Sequence, residues 1–169
     1  QLYDTGQHLL DALLWTTGTD PKKVSAQIDY DKPRVDVNSS LAMLLERGDE
    51  SVIASVGISG DGVEITPAEG YFFWRTNGRI SYFDNQITVA EKDAVTYQTE
   101  ITEGMDFQTL NRKKIENFIN SIRGTEEAAV PGEVGLQVTA LTEAAYRAAD
   151  TESTVTVQSL IDEAIAERA

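Results

Sequence analysis

Apolar residues first recur at helical spacing close to the start of the chain. Leu9, Leu10, Leu13, Leu14 and Trp15 form one face of a helix predicted over residues 5–17. Asp4-Thr5 supply N-cap candidates, Gly18 a C-terminal stop, and Thr19-Asp20-Pro21 a turn. The period then falls to two. Val24, Ala26 and Ile28 alternate with Ser25, Gln27 and Asp29, and in a longer strand over 35–45 Leu41, Met43 and Leu45 oppose Ala42 and Leu44. A turn at Gly48-Asp49, a strand over 51–58, a glycine-rich turn over 57–62 and a short strand over 63–66, stopped by Pro67, follow. Residues 71–75 are apolar on both faces. Asn77-Gly78 reads as a type I′ hairpin leading to a strand over 79–83, and Asp84-Asn85 as a second two-residue turn. Strands over 86–91 and 94–101 complete an antiparallel meander.

From Phe107 the helical period returns. Phe107, Leu110, Asn111, Ile115, Phe118, Ile119 and Ile122 line one face of a helix of about seventeen residues ended by Gly124. After a loop over 125–131, a second helix over 132–149 turns Val134, Val138, Leu141, Ala145 and Ala148 inward. A strand over 154–157 and a helix over 159–168 close the chain. This order predicts an α+β domain: a large, mostly antiparallel, open-faced sheet with helices packed on one face. The strand at 71–75 needs both faces covered, since Phe72 and Trp74 point one way and Tyr71 and Phe73 the other. Helices can take one face; a partner sheet in a homo-oligomer, or solvent, takes the other.

Composition narrows the chemistry. The chain has 169 residues, no cysteine and one histidine, which excludes disulfides, thiolate metal sites and a multi-histidine metal site. Against 28 Asp and Glu stand 14 Lys and Arg, a net charge of −14 that argues against nucleic acid and anionic membranes as partners. The acidic excess is spread along the chain, and Arg outnumbers Lys. Two readings stand: an ordinary acidic cytoplasmic domain, or adaptation to high salt, where screening removes self-repulsion. The second predicts unfolding on dialysis into low salt. No apolar run is long enough to span a bilayer, and the first residues resemble no signal peptide.

Candidate chemistry gathers at the N-terminus. Asp4, His8 and Asp11 stand at i, i+4 and i+7. On a helix, Asp4 and His8 project near each other, and a carboxylate beside an imidazole favours and orients the imidazolium. Such a pair can accept a hydroxyl proton during alcohol oxidation. A capping Asp beside a surface histidine is the alternative, and a metal held by Asp4, His8 and Asp11 a further one, poor in nitrogen ligands. Gly57-Ile58-Ser59-Gly60-Asp61-Gly62 is neither a dinucleotide fingerprint nor a nucleophile elbow. The aromatic set around Tyr71–Trp74 reads as sheet core or interface before sugar platform, and Arg112-Lys113-Lys114 as a solvated helix face.

The segment Leu2-Tyr3-Asp4-Thr5-Gly6-Gln7-His8-Leu9-Leu10-Asp11-Ala12-Leu13-Leu14-Trp15 resembles the catalytic segment of the glucose–fructose oxidoreductase / inositol dehydrogenase (Gfo/Idh/MocA) family, with its pattern D-x-G-x-H-x-x-D-x-x-x-W. Later segments agree in order: Val35-Asp36-Val37-Asn38-Ser39-Ser40, then Asn117-Phe118-Ile119 with Ile122-Arg123-Gly124, then Val130-Pro131-Gly132-Glu133, Gly135-Leu136-Gln137-Val138 and Glu143-Ala144-Ala145-Tyr146-Arg147. The resemblance implies that residues 1–169 are the C-terminal substrate-binding and oligomerisation domain of an enzyme whose N-terminal Rossmann domain lies outside this chain. It implies an NAD- or NADP-dependent oxidation of a sugar or polyol CH–OH group, His8 as acid/base, Asp4 shaping the site, and Asp11 as a structural residue. The family's catalytic lysine stands in an E-K-P motif absent here; Asp31-Lys32-Pro33 does not take its place. The isolated chain is then expected to be inactive. A module that kept the fold for oligomerisation or ligand binding without catalysis is the alternative.

Overall fold

Gly18, at φ +61°, ends the first helix in a left-handed conformation that costs glycine little, and the chain passes directly into a strand. The computed structural model describes residues 1–32, 35–60, 70–92, 94–101 and 106–167. Two compact units divide the chain, residues 1–62 with 130–169 and residues 63–129. A π-helical turn, Leu2–Gly6, opens the first unit and runs unbroken into α1 (Gln7–Thr17). Because the helical backbone already starts at Leu2, Asp4 and Thr5 lie inside it and neither caps it, contrary to the sequence expectation. Pro21 likewise is not in a turn. It stands in β1 (Asp20–Lys32), at the strand's start, where a missing N–H is tolerated.

β1 pairs antiparallel with β2 (Val35–Arg47), and β2 with β3 (Glu50–Ser59). The glycine-rich stretch therefore begins inside a strand: Gly57 pairs with Ser40, and the turn starts only at Gly60, with residues 61–69 and the strand expected over 63–66 outside the described residues. Alternation sends Val24, Ala26, Leu41, Met43, Leu45 and Ala54 to one face, where they are buried. α3 (Gly132–Thr151) lies on that face with Val138, Leu141, Ala144, Ala145 and Ala148 buried, a stripe at spacings of three and four. The small alanines let the helix approach the sheet closely. A two-residue strand, β4 (Val155–Thr156), adds to the free edge of β1, and the final helix, α4 (Val157–Ala166), joins the same core. Each fully buried leucine of this core contributes roughly 1.5–3 kcal/mol.

The second unit holds a four-stranded antiparallel sheet, β5 (Gly70–Arg75), β6 (Gly78–Phe83), β7 (Gln86–Glu91) and β8 (Ala94–Glu100), in sequential order. Asp84 and Asn85 both have positive φ, the type I′ signature. Asn77 and Gly78 do not: Thr76-Asn77 make that turn and Gly78 already pairs with Arg75. Gly78 is needed for space, since a Cβ there would lie 2.3 Å from the Ala90 carbonyl oxygen. α2 (Phe107–Ile122) is capped by the Asp106 carboxylate, which accepts from the Thr109 N–H at 2.9 Å. Asn117 pins the loop that follows, donating to the Glu127 carbonyl at 3.0 Å and accepting from the Ala129 N–H at 2.9 Å. The α+β architecture is as expected, and every described strand pair is antiparallel. Its strands stand in two four-stranded sheets.

Candidate active site

The motif segment is seated from one side. Leu2, Gly6, Leu10 and Leu14 recur every four residues and all are buried. Gly6 has ordinary helical angles, φ −61° and ψ −35°, so its role is one of packing. A Cβ at that position would stand 2.8 Å from Ile58 Cδ1 and 2.8 Å from Leu2 Cδ1. The opposite side of the helix carries Asp4, His8 and Trp15, all exposed; Trp15, expected on the apolar face, is 77% exposed. Asp4 and His8 are one turn apart on this outer face, and no hydrogen bond or ion pair joins them in the structure. A π-helical turn widens the backbone at the point where the motif's first acid sits, a distortion that recurs at functional sites.

The first N–H groups of any helix need partners from elsewhere. Here that of Leu2 finds Asp36, while those of Asp4 and Gly6 turn to the Gln1 carbonyl. Leu2 N–H donates to Asp36 Oδ2 at 2.6 Å. Tyr146 of α3 donates its O–H to Asp36 Oδ1 at 2.8 Å. The Tyr146 ring stacks on that of Tyr3 at 5.5 Å with 17° between planes, and the Tyr3 O–H donates to Glu143 Oε1. Burial pushes the Asp36 carboxyl up, but bonds from the Leu2 N–H and the Tyr146 O–H hold the group below the usual carboxylate range. Burial first, and then the bond to Asp36, push the Tyr146 phenol above its ordinary value. Tyr30 is raised too, by burial and by the charges of Asp150 and Asp36.

Asp36 reaches this position through a β-bulge. Asp29 pairs with Asn38 and Tyr30 with Asp36, so Val37 is an extra residue on β2 and the side chain before it turns toward the helices. Three motifs read separately in the sequence, around Tyr3-Asp4, Asp36 and Glu143-Tyr146, thus meet at one place. Asp11 is half-buried with Oδ1 out of solvent and without a hydrogen-bond partner. Among the described residues no group of three His, Asp or Glu side chains is disposed to hold a metal ion. No helix of the described residues is long and apolar enough to cross a membrane.

Residues 1–157 match the family described as "Oxidoreductase family, C-terminal alpha/beta domain" of the Gfo/Idh/MocA group. Among solved structures, an oxidoreductase from Agrobacterium radiobacter in complex with NAD+, L-tartaric acid and magnesium is similar at 19% identity and a TM-score of 0.79, over 95% of this chain and 50% of that one. An oxidoreductase domain protein from Kribbella flavida is similar at 13% identity and a TM-score of 0.77, over 91% of this chain and 49% of that one. The transcriptional regulator Gal80p from Kluyveromyces lactis is similar at 14% and a TM-score of 0.69, over 93% and 45%. At these identities the likeness is one of fold. The chain spans about half the length of each. The comparison with curated proteins finds no match.

Proposed function

Because this chain belongs to the Gfo/Idh/MocA oxidoreductase family, through its C-terminal alpha/beta domain, we propose that it is the substrate-side part of an NAD- or NADP-dependent dehydrogenase acting on the CH–OH group of a sugar or polyol. The described residues offer no cradle for a dinucleotide: Gly57 lies in a strand and no glycine-rich turn leads into a helix N-terminus. In this proposal the cofactor is held mainly by a Rossmann domain outside residues 1–169, as the family resemblance implies. When bound there, the nicotinamide supplies the redox chemistry.

This chain's part is proton transfer and orientation. A ring nitrogen of neutral His8 takes the proton of the substrate hydroxyl, and the Asp4 carboxylate, one turn earlier, stabilises the imidazolium that results. The observation that supports this reading most directly is the exposure of Asp4 and His8 on a helix whose opposite face is locked into the core. In the full-length enzyme, His8→Ala should lower kcat by a factor on the order of 10² or more while dinucleotide affinity is unchanged. A kcat equal to wild type removes the role. The likeness to a transcriptional regulator supports a second reading, a ligand-binding or oligomerisation module without turnover. Retained ligand binding with no oxidation of any sugar or polyol, in wild type and His8→Ala alike, is its signature. A homo-oligomer through the open sheet of the second unit, and a cytoplasmic location, either as an ordinary acidic domain or as one adapted to high salt, complete the proposal.

A further inference from the structure

We propose that Asp36 is the positioning residue for His8, acting from another strand as the cap of the helix that carries it; this rests on the proton-transfer reading above. The Asp36 side chain is 8% exposed and accepts from the Leu2 N–H at the start of the motif segment and from Tyr146. Those bonds fix the translation of the helix along its axis. The Tyr3–Tyr146 stack, and the Tyr3 bond to Glu143, fix its rotation at the same turn. The buried stripe at Leu2, Gly6, Leu10 and Leu14 holds the side facing the sheet. His8 itself makes no such contact, so its place in space is set by the turn behind it.

An ordinary N-cap lies next in sequence to the helix it serves. This one is 34 residues away from Leu2 and is aimed by a β-bulge, which is an elaborate arrangement for a helix start that Asp4 or Thr5 had the chemistry to cap locally. Local capping was available only if Asp4 stayed outside the helix. Moving the cap to Asp36 frees the Asp4 carboxylate to stand beside His8 on the outer face. A clamp that merely stabilised the fold would have no bearing on where the imidazole lies. A positioning clamp would, because a displacement near 1 Å at a reacting group can cost about 10²-fold in rate.

The single histidine makes the test direct. In the 169-residue chain, labelled for NMR, Asp36→Asn should move or broaden the one imidazole resonance and the amides of residues 2–8, while amides of Leu41 and Leu141 stay in place. Asp36→Glu should restore the wild-type spectrum in part. Tyr146→Phe, which leaves the carboxylate and its bond to Leu2, should shift the imidazole in the same direction by less. In the full-length enzyme Asp36→Asn should lower kcat at least tenfold with KM within about twofold. A folded Asp36→Asn with an unmoved imidazole signal and wild-type kcat overturns the proposal. Should Asp36→Asn fail to fold, an unmoved imidazole in Tyr146→Phe overturns it instead. If the imidazole moves in Asp36→Asn but His8→Ala keeps full kcat, the clamp stands and the proton-transfer reading is what falls.

Discussion

Gly6 allows the packing of the motif turn to be weighed against helix propensity in one substitution. Gly6→Ala keeps φ and ψ that alanine adopts freely, so backbone strain plays no part. In a helix, and through the unfolded chain, alanine is favoured over glycine by up to about 1 kcal/mol. Against that stands the added methyl, 2.8 Å from both Ile58 Cδ1 and Leu2 Cδ1, where apolar carbons prefer about 3.5–4.0 Å. Leu2 is wholly buried and has nowhere to swing, whereas half-buried Ile58 can yield. Overpacking of this kind costs about 1–3 kcal/mol. The net expectation is a destabilisation of about 1 kcal/mol, read from urea midpoints. The cycle with Ile58→Val sharpens it. That change removes the Cδ1 on one side of the clash, costs about 0.5 kcal/mol at a half-buried site, and should reduce the Gly6→Ala loss by the part owed to Ile58, the contact with Leu2 remaining. A single variant more stable than wild type, or a double variant whose loss equals the sum of the singles, refutes the reasoning.

Two further outcomes follow from the site and the second unit. Tyr146 ionises later in the folded chain than in the unfolded one, so below about pH 10 both states keep the proton and nothing changes. Above that the unfolded chain loses it first, and stability falls as pH rises. Tyr146→Phe should flatten this alkaline decline in urea midpoints taken from pH 8 to 11, and identical profiles would contradict the assignment. On one face of the second unit's sheet, Phe72, Trp74 and Phe83 are exposed, so the proposed oligomer should sediment above monomer mass and Trp74→Glu should weaken it; a wild-type monomer at all salt concentrations speaks against it.

Element by element, periodicity carried most of the fold into view. Strand alternation put Leu41, Met43 and Leu45 on the buried face and Ala42 on the other, as found, and the stripe in α3 was legible for the same reason. What escaped were features set by contacts distant in sequence. Asn77-Gly78 has the composition of a type I′ turn, yet Gly78 answers to the approach of the Ala90 carbonyl two strands of chain away. Trp15 fits the spacing of the apolar face and is nevertheless exposed, because the stripe that packs is the one at Leu2, Gly6, Leu10 and Leu14. In the helix of the second unit, Phe107, Ile115, Phe118 and Ile122 do fall on one face, but none of its residues is buried.

Asp36 shows the limit most clearly. Counting back by twos from Leu41 puts Val37 with the core and Asp36 on the outer face with Asn38 and Ser40. One inserted residue in the register reverses that, and a period-two pattern has no means of announcing a bulge. The only signal in the sequence was an acid between Val35 and Val37, a poor residue for a strand centre unless a partner waits for it. The consequence reaches the chemistry. The sequence offers the Asp4 carboxylate both as a helix cap and as the neighbour of His8. One carboxylate is poorly placed for both, since an N-cap turns back to the backbone while the site needs it turned outward. By ending the Leu2 N–H on Asp36, the fold removes that competition: the acid that holds the helix and the acid proposed to assist His8 are two residues.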